Sequence, residues 1–277
     1  MHATGDSAPF YARRPVAGPT RELPRPLDAA ESLKDAAAKA GIYVGAAINY
    51  GGMAGGQYSP SYPATALSQF SLFTAENECK WGPIHPQPAG YAYEQCDYLA
   101  STSIANKSVF RFHNTAWGNE NPGWLNAMKD RAGLTAALQY HIANISQHYL
   151  SSPTLSYYAI DVVNEAVSDF GSTLLKPVVP WYPAVPDYLN VAFAAAAAAD
   201  PAPKERLFCY NDYGAEGASS PKAAKILTLV QQLKAAGAPI NCVGLQMHID
   251  VDQHPSGDDV AANIKALGAL GMTVHSA

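Results

Sequence analysis

Apolar positions along this chain switch repeatedly between a helical and an extended period, and the switching organises everything that follows. The segment "LDAAESLKDAAAKAG" is rich in helix formers, with Gly41 as its stop, and leads into "IYVGAAI", which reads as a first strand. Further β-branched or aromatic runs follow: "SLFT" at Ser71, "SVFRF" at Ser108, "YYAIDVV" at Tyr157, "RLFCYN" at Arg206, "CVGLQM" at Cys242 and "MTV" at Met272. Helical stretches separate them. "GLTAALQYHIANISQHYL" is one, and "PKAAKILTLVQQLKAAG" is another, with Ile226, Leu229, Val230 and Leu233 on one face. "DYLNVAFAAAAAADP" is an alanine-rich helix with a thin packing face, ended by Asp200-Pro201.

Seven strands alternating with helices predict a parallel sheet, either doubly wound or closed into a (β/α) barrel. No GxGxxG follows the first strand, which argues against a dinucleotide-binding sheet. Residues 1–28 differ, because "RRPVAGPTRELPRP" is too proline-dense for a helix and predicts an arm along the surface. Residues 29–277 then form the barrel domain. At 277 residues and 48% hydrophobic content, one large core is expected, the usual arrangement for an α/β barrel of this size.

Charge narrows the class of partner. The net charge of −5, from 18 basic and 23 acidic residues, offers no basic stripe for nucleic acid and no polybasic segment for lipid. No apolar run approaches the roughly 18 residues that a membrane span needs, and the first residues show no signal-peptide h-region. A neutral or weakly polar ligand bound by a monomer is the expectation. The four cysteines, Cys79, Cys96, Cys209 and Cys242, have neither CxxC spacing nor histidines at zinc-site intervals, so neither a metal nor a cofactor is expected. Cys79 and Cys96 are expected to pair, a closure of roughly 16 residues contributing on the order of 3 kcal/mol. Two disulfides are possible in all, with four buried thiols as the alternative; Cys209 and Cys242 lie on neighbouring predicted strands, where disulfide geometry is hard to satisfy, and stay thiols in this reading. The acceptor triplets Asn106-Lys107-Ser108 and Asn144-Ile145-Ser146 lean toward a secreted protein.

The chemistry gathers where the strands end. Glu76, Asn77, Lys80 and Trp81 follow the second strand, and His113, Trp117 and Trp124 follow the third. Asn164 and Glu165 follow the fourth, Asn211, Asp212 and Tyr213 the fifth, Gln246 and His248 the sixth. Taken singly, Asn-Glu after a strand is an ordinary helix cap, Glu76 and Lys80 an ordinary i, i+4 pair, and the indoles ordinary core. Taken together, five strand ends converge on one barrel face with amides, a lysine, imidazoles and indoles around a carboxylate, which is the chemistry of a carbohydrate cleft.

"FTAENECKW", "DVVNEAV", "CYNDYG" and "VGLQMHI", in this order and at these separations, resemble the signature blocks of glycoside hydrolase family 10, the retaining β-1,4-xylanases. The resemblance runs from about Leu33 to the last residue and implies a (β/α)8 TIM barrel with about seven of its eight strands in this chain. It implies that Glu165 is the general acid/base and that Asn164 hydrogen-bonds the sugar 2-hydroxyl before the cleaved bond. Glu76, Asn77 and Lys80 resemble distal sugar contacts, His113 and Trp117 line the same cleft, and Gln246 and His248 resemble the pair flanking the nucleophile. The implied activity is double-displacement cleavage of internal β-1,4-xylosidic bonds of xylan. The alternatives are a glycan-binding barrel without hydrolysis, and a divergent member acting on another β-glycoside. Where the family usually reads "TLVWHSQ", this chain has "NTAWGNE", placing Gly118 for the second His and Glu120 for Gln. The family's nucleophile stands in "TELD" after the seventh strand, and Ala277 matches the Thr before that Glu, so the nucleophile is expected as the next residue, with the eighth strand beyond it.

Overall fold

The structure is a computed structural model and describes residues 31–56 and 59–276. The proline-rich arm assigned to residues 1–28 and the position of Ala277 lie outside the described residues. In chain order the elements are α1 (Leu33–Lys39), β1 (Gly45–Ile48), α2 (Tyr50–Met53), α3 (Ser61–Gln69), β2 (Leu72–Ala75), α4 (Trp81–Ile84), α5 (Glu94–Ala105), β3 (Val109–Ala116), α6 (Gly123–Ala127), α7 (Arg131–Leu150) and β4 (Ala159–Asn164). α8 (Tyr188–Ala199), β5 (Leu207–Asp212), α9 (Pro221–Ala235), β6 (Cys242–Leu245), α10 (Gly257–Ala269) and β7 (Thr273–Ser276) complete the described residues. Each of the seven predicted strands is present.

All seven strands are parallel and pair in sequence order, β1 through β7. Helical segments carry each connection back over the outside, as parallel pairing requires. Their starts are written in side chains: Asp130, Ser220 and Ser256 each accept a backbone N–H from the first turn of α7, α9 and α10. The predicted face of α9 is the one that is buried, with Ile226, Leu229, Val230 and Leu233 all in the core. The alanine run of α8 packs through Ala192, Phe193 and Ala196. All six residues of β4 are buried, as in a strand covered on both faces.

One side chain establishes how strongly the sheet curls. Arg111 on β3 donates to Asp161 on β4, to Asn211 on β5 and, at 3.2 Å, to His275 on β7. β3 and β7 are four strand spacings apart, about 19 Å in a flat sheet at about 4.8 Å per strand. The contact therefore needs a sheet rolled onto itself, and the seven strands form a partial (β/α)8 barrel. Gly244 on β6 makes room for this interior layer, because a Cβ there would stand 2.1 Å from Asn211 Oδ1 and 2.4 Å from an Arg111 nitrogen.

The cysteines answer differently from the sequence reading. Cys79–Cys96 forms as expected, tying the loop after β2 to α5. Cys209 and Cys242 do not remain thiols but form a second disulfide. The reason is register: the two residues are direct partners across β5 and β6, with Cα atoms 4.2 Å apart and both side chains in one small apolar cluster with Ala159. Adjacency of strands alone does not decide the geometry, whereas direct opposition on one face does. His275 lies within 4.8 Å of both sulfurs, but the disulfide uses up the two thiolates that a metal would need. Burial and then Arg111 hold the His275 imidazole down at about 4.

Candidate active site

Glu165 stands one residue beyond β4 and its backbone is left-handed, with φ of 57°. A non-glycine residue there costs on the order of 1–2 kcal/mol, so surrounding contacts must hold it. Its N–H donates to Asn211 O at 2.9 Å. Trp117 Nε1 donates to Oε2 at 2.8 Å and Gln246 Nε2 donates to Oε1 at 3.0 Å, so both oxygens are fixed from opposite walls. The aim of the carboxylate is thus set by β3 on one side and β6 on the other.

The remaining predicted residues attach to this centre. Asn164 Oδ1 accepts from Asn211 Nδ2 at 2.9 Å and from Gln246 Nε2 at 3.2 Å. His248 donates its Nε2 proton to Gln246 Oε1 at 3.0 Å. Lys80 Nζ lies 5.1 Å from the centre of the Trp117 ring and donates to Asn77 Oδ1 at 2.7 Å. Glu76, beside Asn77, accepts from Asn49 Nδ2 at 3.2 Å. The His113 ring lies 6.4 Å from the Trp117 ring, and its Nδ1 meets Asp161 at 2.8 Å. Glu76, Asn77 and His248 are exposed and Asn164 is buried, so the group runs from open rim to covered floor.

Beneath this floor Asp161 receives Arg111 and His113 together. Burial alone would raise its carboxyl, but the guanidinium and the imidazole outweigh it and hold the group at about 2. Asp161 is therefore a fixed negative charge that orients His113. The departure at Gly118 also has a visible counterpart. A Cβ at Gly118 would meet Val178 Cγ1 at 3.1 Å, so the segment between β4 and α8 fills the ground beside it. That segment further carries Trp181, whose Nε1 donates to Trp117 O at 2.9 Å.

The sequence shows Asn211 among the strand-end groups but gives it no role in the site, and Asp161, Arg111 and Asn49 go unmarked there. Asn211 and Asp161 sit inside the quoted blocks "CYNDYG" and "DVVNEAV", and period-2 counting back from each strand end would have aimed both inward. Nothing in the sequence marks Asn49 or Trp181.

Fold and site together define a (β/α)8-type barrel whose polar and aromatic groups converge on one mouth around a single held glutamate. Residues 32–277 match the model of glycosyl hydrolase family 10, and the chain belongs to that family. It is 36% identical over 244 residues to endo-1,4-β-xylanase D of Talaromyces funiculosus, covering 87% of this chain and 57% of that protein. It is also 36% identical over 216 residues to a β-1,4-xylanase of Dictyoglomus thermophilum, covering 77% of this chain and 58% of that protein. The chain thus spans little more than half the length of these curated relatives. Among solved structures, xylanase 10B of Thermotoga maritima aligns with a TM-score of 0.79 at 29% identity, over 88% of this chain and 72% of that one.

Proposed function

We propose that the protein is a retaining endo-β-1,4-xylanase in which Glu165 is the general acid/base. The observation that carries this reading is the two-sided hold on Glu165, by Trp117 and Gln246, at the mouth of a barrel lined with sugar-binding groups. In the first step Glu165 gives its proton to the glycosidic oxygen as the bond to the anomeric carbon breaks. The bonding pair leaves with that oxygen. A second carboxylate, roughly 5–5.5 Å away, forms the new bond to the anomeric carbon, and water later releases the sugar with Glu165 acting as base. By the resemblance to family 10, this reading assigns that second carboxylate to a residue after β7. In this reading Asn164, held by Asn211 and Gln246, bonds a sugar hydroxyl before the cleaved bond. Trp117 and Lys80 offer an aromatic face and a charge, with Glu76, Asn77 and His248 along the exposed rim and His113 deeper, beside Trp117.

The two disulfides support an oxidising, secreted setting. Among the described residues no helix is long and apolar enough to cross a membrane. The test is Glu165→Gln in the full-length gene product that contains these residues. Turnover of xylan is expected to fall by roughly 10²- to 10⁴-fold, the usual contribution of a positioned acid. Undiminished xylan turnover would overturn the assignment.

A further inference from the structure

The backbone N–H groups from Glu165 to Ser168 all have partners, and one hydroxyl takes two of them. The N–H groups of Ala166 and Val167, the two residues after the left-handed Glu165, both donate to the Tyr210 hydroxyl, at 3.0 and 2.9 Å. Tyr210 is on β5, fully buried, and its hydroxyl donates to Asp212 Oδ2. Asp212, also buried, pairs through Oδ1 with Lys222 Nζ at 2.8 Å. Lys222 starts α9, is itself 5% exposed, and reaches Asp169 at 2.6 Å on the loop that follows Glu165. Its ammonium also lies 3.5 Å from the centre of the Tyr213 ring.

We infer that Tyr210, backed by Asp212 and Lys222, is a positioning residue for Glu165: its hydroxyl holds the strained turn that aims the acid at the glycosidic oxygen. The inference rests on the reading of Glu165 given above. Its physical basis is that two consecutive N–H donors point away from any strand partner once the backbone turns left-handed. Without an acceptor they are buried and unpaired, and the turn relaxes. Tyr210 can accept both only while its own proton is directed elsewhere, and Asp212 takes that proton's hydrogen bond. Burial pushes the Tyr210 hydroxyl and the Asp212 carboxyl upward, so the phenol keeps its proton across the working range. The ammonium of Lys222 opposes the rise at Asp212 and ties the whole unit to the loop after β4. The hydrogen bonds of the Tyr210 hydroxyl go to the two backbone N–H groups just after Glu165 and to Asp212, so its effect on the chemistry is expected to pass through Glu165.

A general acid matters only when the leaving group needs a proton, and this separates positioning from mere structural support. In the full-length gene product, Tyr210→Phe is compared with wild type on xylan and on 2,4-dinitrophenyl β-xylobioside, whose leaving group departs unprotonated. The expected result is a loss of roughly 30- to 100-fold in kcat/KM on xylan, the scale of a misplacement of about 1 Å. On the activated substrate kcat/KM should change by less than about threefold. Asp212→Asn, which keeps the side-chain shape, should show the same split at about tenfold. Thermal midpoints are recorded for each variant so that rates are read well below unfolding. Parallel loss on both substrates, or no loss on xylan, would overturn the inference. Glu165→Gln, run alongside, keeps the two readings distinct. If it too lacks the leaving-group split, the assignment of Glu165 fails; if it alone shows the split, only the role of Tyr210 fails.

Discussion

Two arginine–aspartate pairs in this molecule have almost the same length and opposite surroundings. Arg111 and Asp161 meet at 2.7 Å inside the barrel, their side chains 2% and 1% exposed. Arg131 and Asp187 meet at 2.8 Å between the start of α7 and the residue before α8, 61% and 49% exposed. Geometry alone would rank them equal. Inside the barrel the guanidinium also bonds Asn211 and His275, and the carboxylate also bonds His113, so each charge has several partners and no water to replace one. Outside, water solvates either partner as soon as the other moves away. The energetic weight of an ion pair follows from what replaces it, and distance says little about that.

The largest test of this contrast removes Arg111. Arg111→Met is expected to destabilise the fold by about 3–5 kcal/mol, because Asp161 is left as a buried charge and Asn211 and His275 lose a donor. The change should appear as a drop in the denaturant midpoint with little change in slope. Arg111→Lys keeps a charge for Asp161 but cannot reach all four acceptors, so an intermediate loss is expected. If Arg111→Met costs no more than a surface substitution, the interior pair carries no special weight and the comparison collapses.

Acid sharpens the same contrast on a second axis. Asp161 is held at about 2 against an ordinary 3.8, so its stabilisation is fully present above about 3.8 and is lost as pH falls toward 2. The difference is worth roughly 2 kcal/mol, at about 1.4 kcal/mol per unit. A second buried pair acts at higher pH. His85 and His141 face each other through their Nδ1 atoms at 3.1 Å, and burial first holds both imidazoles below their ordinary range. His85 also meets Pro88 O through Nε2, which fixes it as the donor there and leaves His141 to donate between the rings. Groups kept neutral in this way lose stability as pH drops below the unfolded value of about 6.5, where the unfolded chain takes up the protons. Acid unfolding should therefore begin well above pH 4 and steepen again below it. His275, held down at about 4, adds to the loss in the same range, so His141→Phe, which keeps a ring against Trp81, should make only the first part of the curve shallower and leave the share of His275 in place. Identical curves above pH 4 for the wild type and His141→Phe would show that the histidine pair contributes nothing.

How much of this was legible depends on whether a feature is periodic or particular. The strands and their parallel pairing followed from β-branched runs between helical stretches, the barrel and its strand order followed from the resemblance to family 10, and the site followed because strand ends in a barrel share one face. Glu165 was found by its place after "YYAIDVV", but its left-handed backbone was not, since Asn-Glu-Ala carries no glycine to announce it. The second disulfide was misjudged because register, and not strand order, sets the distance between Cys209 and Cys242. The histidine pair joins residues 56 apart on different elements, a coincidence no local pattern records. Tyr210 looked like one more aromatic strand residue. Its hydroxyl matters only because the neighbouring strand ends in a turn that leaves two N–H groups facing it.

The smallest predicted effect closes the comparison from its other side. Arg131→Ala should change stability by no more than about 0.5 kcal/mol, the range of exposed ion pairs. Asp187 then keeps its solvation, because nearly half of its side chain already faces water. α7 keeps its start, because Asp130 accepts the Gly133 N–H without help from Arg131. What remains is a screened attraction that salt should weaken further, so the wild type and Arg131→Ala should converge in midpoint as ionic strength rises toward 1 M. Arg111→Met should show no such convergence, since the Debye screening of bulk ions does not reach a pair sealed inside the barrel. The check is a set of denaturation curves at low and high salt for both variants. Equal salt dependence for the two would mean that the interior pair is as solvated as the exterior one, which its contacts with Asn211, His113 and His275 contradict.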